Sequence, residues 1–267
     1  VEYVWLTGDY KQAEVMIVAW AGPVPKFKEW IKANEDIHLN VAMMIAKVVQ
    51  ENKVKLPPTL DLFKTPWIAL QKNSPERQVA KTTVHANNYG MGKTKFALVT
   101  GLPESVAELI QFLYFQLVPE IKSGYQVWID TELRHSSTLV TPMGRRKIFF
   151  DMPGPERSRA AYSGYAQMTV GDMKTQWLCD SCEYFRSVKD LEIQTPETIR
   201  SCGLDVGLEM HDSLATRIPN DDFVIKGAAL ALKKTGEIPL VIKGEELIIP
   251  VEFKIGPNLK DLKEYVL

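Results

Sequence analysis

The sequence predicts an α+β fold. Apolar, strand-like runs near the two ends of the chain, at 3–10, 204–218 and 248–255, are separated by long stretches with helical periodicity and helix-start signals. Strands set apart from helices, rather than alternating with them, are the pattern of α+β domains. A third observation is that Asp9 closes the first strand and Asp212 sits where two later strands meet, so acids stand at strand ends.

Residues 3–10 read as a strand ending at Asp9, and 12–21 as an apolar helix. Pro23 and Pro25 punctuate the chain, and 26–33 read as a short amphipathic helix. Asp36-Ile37-His38 opens another helix that runs to about Gln50. Residues 52–73, with Pro57-Pro58 and Pro66, read as loop-rich. Ser74-Pro75-Glu76 is a helix start: serine caps, proline suits the first helical position and glutamate favours the positive end of the dipole. That helix runs to about Asn88 and stops near Gly90. Residues 103–118 and 119–133 read as two more helices. Residues 138–141 and 147–150 flank Pro142-Met143-Gly144-Arg145-Arg146, a hairpin with a basic tip. A long helix spans 155–184, strands at 204–211 and 213–218 meet at His211-Asp212, and a helix at 221–234 and a strand at 248–255 close the chain.

At 267 residues, 45% hydrophobic and 24% charged, the chain can bury a core as one large or two small domains. No run approaches the ~18 apolar residues that span a bilayer, and no signal peptide is visible. A net charge of −1 means that any nucleic-acid track is local, with 72–95 and 145–159 the basic candidates. Three cysteines, at 179, 182 and 202, argue against a disulfide framework and fit a reducing compartment such as the cytoplasm. Cys179-x2-Cys182 has zinc-like spacing without a second pair.

Arg77, Lys81, His85 and Tyr89 recur at every fourth position, and each such step turns a helical side chain by only about 40°. They form one stripe whose cationic end suits a triphosphate and whose aromatic end suits a sugar or base. Taken alone, such a stripe is more often a solvated helix face. Asp9 at a strand end is costly without compensation, and Mg²⁺ takes hard oxygen ligands such as Asp9 and Asp212. Each acid also has a bland reading, Asp9 as a helix N-cap and His211-Asp212-Ser213 as a polar hairpin turn. Acids for metal and a cationic helix face for phosphates are together what a nucleotidyl transferase needs.

Taken together the segments resemble the family A DNA polymerases, the bacterial DNA polymerase I type, over nearly the whole chain, from 3 to about 256. Asp9-Tyr10-x-Gln12-x-Glu14 is similar to motif A, Arg77-x3-Lys81-x7-Tyr89-Gly90 to motif B and His211-Asp212 to motif C. Asp36-Ile37-His38, the Gly144-Arg145-Arg146 hairpin and Arg159 with Gln167 also match that pattern. The resemblance implies a right-hand polymerase with an antiparallel palm sheet, mostly helical fingers and no thumb. Residues 1–26 and 134–267 would be palm and 27–133 fingers, with the motif B helix at 74–90.

By the same resemblance, Asp9, Asp212 and the main-chain carbonyl of Tyr10 would bind two Mg²⁺ ions, with Mn²⁺ as a substitute. Arg77, Lys81 and His38 would contact the triphosphate, and Lys81 would also protonate pyrophosphate. Gln12, His85, Glu14 and Tyr89 would line the nucleotide site, with Glu14 crowding a 2′-hydroxyl. Arg159, Gln167, His211, Arg145 and Arg146 would touch DNA. Partners would be primer-template DNA and dNTPs, with no membrane. The implied setting is the cytoplasm of a bacterial or phage-infected cell, with an organelle as the alternative.

The chain departs from the pattern at His85, where Phe or Tyr is usual, which bears on dideoxynucleotide discrimination. It departs again at Ser163 for Asn, at Met16 for Arg and at His-Asp-Ser for His-Asp-Glu. The last variant resembles single-subunit RNA polymerases, the alternative reading, against which Glu14 argues. A non-catalytic nucleic-acid-binding remnant is the third. With Val1 as its first residue and the first candidate catalytic acid already at position 9, the chain reads as a fragment or one part of a split enzyme, its thumb and N-terminal segment supplied by a longer parent or a separate chain.

Overall fold

The computed structural model describes residues 3–52, 57, 62–188, 206–210 and 212–267. Strand β1 (Tyr3–Tyr10) is followed by α1 (Ala13–Ala21), α2 (Pro25–Lys32) and α3 (Ile37–Glu51). A 3-10 turn at Trp67–Ala69 precedes α4 (Pro75–Asn88), α5 (Lys93–Thr100) and α6 (Glu104–Leu117). A π-helical turn at Ile121–Gln126 runs into α7 (Val127–Ser136), and the hairpin β2 (Thr138–Val140) and β3 (Arg146–Ile148) leads to α8 (Pro155–Val188). Then come β4 (Val206–Met210), β5 (Ser213–Pro219), α9 (Asp222–Gly236), β6 (Pro239–Ile242), β7 (Glu245–Ile248), β8 (Val251–Gly256) and β9 (Lys263–Tyr265). The chain divides into a sheet unit, Val1–Glu14, Thr141–Arg145 and Gln167–Leu267, and a helical unit, Val15–Val140 and Arg146–Ala166.

In the sheet unit five strands run in the order β4-β5-β1-β8-β9, with every neighbour antiparallel. β1 lies at the centre, where an apolar strand with Leu6 and Tyr10 buried belongs. Helix α9 covers β1, β5 and β8. It is capped by Asp221, whose side chain accepts from the Phe223 and Val224 N–H groups. Trp177 of α8 is fully buried in this unit and donates Nε1–H to the Leu232 carbonyl at 2.9 Å.

In the helical unit α3, α4 and α6 pack together. The C-terminal end of α4 is tied by a part-buried polar network around the buried Asn87 and Asn88. Gln126 Nε2 donates to the Asn87 and Asn88 carbonyls at 2.8 and 3.2 Å. Gln111 Nε2 donates to Asn87 Oδ1 at 2.8 Å, and the Tyr114 hydroxyl to Asn88 Oδ1 at 2.6 Å. Such a network fixes the helix that carries the Arg77-to-Tyr89 stripe against its neighbours.

Several local expectations are corrected. Ser74 makes no side-chain cap to α4. Its Oγ instead accepts from the Gln71 N–H at 2.8 Å, a local turn that competes with capping. Glu76 is buried and accepts the Phe63 N–H at 2.9 Å, so it anchors a loop as well as favouring the dipole. Residues 119–133 are a π-helical turn followed by α7 rather than one regular helix. The wide turn aims Gln126 at the carbonyls that end α4, and Gly124 sits where a Cβ would collide with the Gly22 carbonyl. Helix α5 is an addition, set between Gly92 and the left-handed Gly101. In place of one final strand there are four: the β6–β7 hairpin turns at Lys243 and Gly244, both with positive φ, β8 starts at Val251 and β9 follows at Lys263–Tyr265. The expectations for His211 and Cys202 lie outside the described residues. Among the described residues no single helix is long and apolar enough to cross a membrane.

Candidate functional site

The sheet unit positions the acids. Side chains alternate across a strand, so Gly8 and Tyr10 share the face opposite Asp9. Tyr10 packs on Trp177 with ring centroids 5.0 Å apart and donates its hydroxyl to the Gly236 carbonyl at 2.8 Å. Gly8 lies so close to Trp177 that a Cβ would stand 2.8 Å from the indole ring. These contacts lock the strand and turn Asp9 outward from the Trp177 side. In register Asp9 lies between Ser213 of β5 and Glu252 of β8. Asp212 directly precedes β5 and accepts the Tyr10 N–H on its carbonyl at 3.3 Å.

The two carboxyl groups meet through a side-chain hydrogen bond. Burial, then the Asp212 charge and that hydrogen bond, push Asp9 up to about 7, while Lys254 pulls the other way. Among the described residues Asp9 Oδ1 is buried without a hydrogen-bond partner. A buried, unsatisfied carboxylate oxygen beside a second carboxylate fits a hard cation. Among the described residues no group of three or more His, Cys, Asp or Glu is assembled. Beyond the acids, Gln12 adopts the left-handed φ of 51°, a strained choice for a non-glycine residue, and Glu14 is half-buried in the first turn of α1.

The helical unit carries the stripe. Lys81 is exposed on α4, and Arg77, His85 and Tyr89 are half-buried. Successive ring pairs, His38–His85 at 5.5 Å and His85–Tyr89 at 6.2 Å, extend it. A pocket of about 280 Å³ is lined by Gln78, Lys81, Thr82, His85, Ala86, Tyr89 and Met91. His38 is buried against His85, with Nδ1 unpartnered among the described residues. Burial, reinforced by His85, holds His38 down to about 3, so at neutral pH it offers an N–H and no charge. Arg77 donates Nε–H and Nη2–H to Asp36 Oδ2 at 2.9 and 2.7 Å.

Of the residues predicted to touch DNA, Arg159 and Gln167 are exposed on α8 and Arg146 is exposed on β3. Arg145 is half-exposed and paired with Asp172 at 2.5 Å, and Asp172 also accepts from the Thr141 hydroxyl at 3.0 Å. Cys179 and Cys182 are free cysteines on α8. Sequence reasoning gave no role to Trp177, Lys254 or the Asn87–Asn88 network. A tryptophan inside a long polar helix and adjacent asparagines at a helix end were the available signals.

The family model for DNA polymerase family A matches residues 1–258. A thermostable DNA polymerase I of Thermus filiformis is 23% identical over 263 residues, covering 95% of this chain and 26% of that protein. The POL domain of Pol1 from M. smegmatis, in complex with DNA primer-template and dNTP, superposes with a TM-score of 0.69 at 17% identity. That match covers 95% of this chain and 39% of the solved one. The chain thus spans about a quarter of the curated relative's length and matches the fold of the solved domain.

Proposed function

Because the chain belongs to DNA polymerase family A, we propose that it catalyses template-directed DNA synthesis, joining a dNTP to a primer 3′-hydroxyl. The observation that carries this reading is the contact between Asp9 and Asp212, with the Asp9 carboxyl pushed up to about 7 and its buried Oδ1 unpartnered among the described residues. Such a pair is unfavourable until a cation arrives. Divalent ions held by Asp9 and Asp212, two Mg²⁺ by preference, would lower the pKa of the primer hydroxyl and neutralise charge on the leaving pyrophosphate. Residues 1–26 and 134–267 are read as palm and 27–133 as fingers.

The chain's own residues do the rest. Lys81, exposed on its helix, supplies a point charge to the triphosphate and a proton to pyrophosphate. Arg77 grips phosphate with the N–H groups that Asp36 leaves over. His85 and Tyr89, which line the 280 Å³ pocket with Lys81, pack against sugar and base. Neutral His38 contributes a hydrogen bond. Glu14 crowds the position of a ribose 2′-hydroxyl. Arg159, Gln167 and Arg146 contact primer and template. Primer-template DNA and dNTPs are the proposed partners, and a thumb and N-terminal segment from a longer parent or a separate chain would tighten the grip on DNA.

The test is Mg²⁺-dependent extension of a primed DNA template by the protein with any native partner, with Asp212→Asn as control. Deoxynucleotide addition lost in the variant supports the reading. Preferred ribonucleotide addition moves the assignment to an RNA polymerase, and extension by Asp212→Asn at the normal rate removes the acid pair from the chemistry.

A further inference from the structure

We propose that Asp36 is a positioning residue for the triphosphate, acting through Arg77; the proposal rests on the polymerase reading above. Asp36 divides its carboxylate between two tasks. Oδ1 accepts the Leu39 N–H at 3.0 Å and caps α3. Oδ2 accepts both Nε–H and Nη2–H of Arg77. One side chain therefore fixes the start of α3 and clamps the guanidinium of α4 to it.

The clamp is selective about what it uses. Guanidinium has five N–H donors, and Asp36 engages one edge, leaving the Nη1 side for a phosphate. The pair is sheltered, the Arg77 and Asp36 side chains being 22% and 11% exposed. Burial alone would raise Asp36. The hydrogen bonds from Arg77 and from the Leu39 N–H outweigh it and hold the carboxyl below the usual carboxylate range, so the clamp is ionised at working pH.

Capping alone does not call for a carboxylate, since serine and asparagine cap as well. What a neutral cap loses is the ionic hold on Arg77. An arginine held in place before substrate arrives has less rotamer freedom to lose on binding. Asp36 also subtracts charge from the anion site, which acts against affinity. Positioning and charge subtraction predict opposite signs for its removal.

The experiment compares full-length wild type with Asp36→Asn and Asp36→Ser, both of which keep a capping side chain, and with Arg77→Ala and the Asp36→Asn/Arg77→Ala double variant. Helicity and Tm are checked first, then dNTP binding with Mg²⁺ and primer-template, then KM and kcat. Asp36→Asn and Asp36→Ser should fold normally, weaken dNTP binding and raise KM about fivefold to tenfold, and lower kcat by a smaller factor. The double variant should bind no worse than Arg77→Ala, because Asp36 acts only through that side chain. Unchanged or tighter dNTP binding in the single variants, or penalties that multiply in the double variant, overturns the positioning role and leaves the polymerase reading intact. Wild type that binds no dNTP under these conditions overturns both.

Discussion

Asp9 lies opposite Ser213 in the antiparallel register of β1 and β5, and this pairing brings Asp212, one residue earlier, into hydrogen-bond contact with the Asp9 carboxyl. Two acids far apart in sequence become a single proton-sharing and cation-accepting group because the central strand is paired in that register. A slip of one residue would turn Asp9 to the Trp177 side and separate the pair.

The pair predicts a metal-sensitive pH dependence of stability. Asp9 is raised from 3.8 to about 7, so in the metal-free protein the folded state holds more protons than the unfolded state between those values. Stability contributed by this group therefore falls as pH rises from about 4 to 7. His38, lowered to about 3, acts in the opposite sense below about 6.5. Asp9→Asn should thus raise the metal-free Tm at pH 8 by a few degrees, flatten the decline towards pH 7 and abolish the Tm gain on adding Mg²⁺. Thermal melts from pH 5 to 8, with Mg²⁺ or EDTA, check this. An Asp9→Asn protein with the same pH profile as wild type would remove the buried pair as its cause.

Lys81 is the exposed cation of the α4 stripe and borders the pocket with His85 and Tyr89. Lys81→Ala should lower kcat by at least roughly tenfold and weaken nucleotide binding, since charge and proton donation are lost together. Lys81→Arg should restore binding better than turnover, because guanidinium stays protonated. Single-turnover incorporation separates the two. Equal rates and affinities in all three proteins would make the stripe a solvated face.

Glu14 stands in the first turn of α1, beyond the strained turn at Gln12. Its proposed role is to exclude a 2′-hydroxyl by bulk. Glu14→Ala should therefore raise the efficiency of ribonucleotide addition relative to deoxynucleotide addition, by roughly tenfold or more, with a smaller change for the deoxynucleotide. Competition between rATP and dATP on one primed template measures the ratio directly. An unchanged ratio would take the steric gate away from Glu14.

Much of the scaffold was legible because it follows local periodicity and punctuation. β1, α3, α4 and α8 lie within a few residues of where apolar pattern, Asp36 and the prolines placed them. The acids were legible as strand-end carboxylates, and their meeting was expected from the paired-acid pattern and the resemblance; the strand register that brings it about was not legible, since register is a tertiary property. The misses have the same origin. The Ser74 hydroxyl turned to its own loop, and α5 was hidden by weak amphipathicity between two glycines. The β6–β7 turn rests on a left-handed Lys243, which sequence gives little reason to suspect. In the helical unit the stripe was visible at four-residue spacing. Asp36 was visible only as a motif member, because its hold on Arg77 joins positions 41 residues apart.

The packing behind Asp9 leaves no room at Gly8. A Cβ at Gly8 would stand 2.8 and 3.0 Å from two Trp177 ring atoms and 3.1 Å from Phe253. Trp177 cannot retreat freely, because its Nε1–H is bonded to Leu232 and its ring is also held against Gly236. Gly8→Ala should therefore cost about 1–3 kcal/mol by overpacking. Strain at Gly8 passes to its chain neighbour Asp9, so catalysis should fall more than stability alone explains. Trp177→Phe shrinks the obstructing ring and should partly rescue Gly8→Ala in the double variant, although alone it loses the indole bond and destabilises the sheet unit. Denaturant melts and Mg²⁺-dependent incorporation on all four proteins test the coupling. Strictly additive effects would mean that Gly8 and Trp177 act independently and that the position of Asp9 does not depend on their contact.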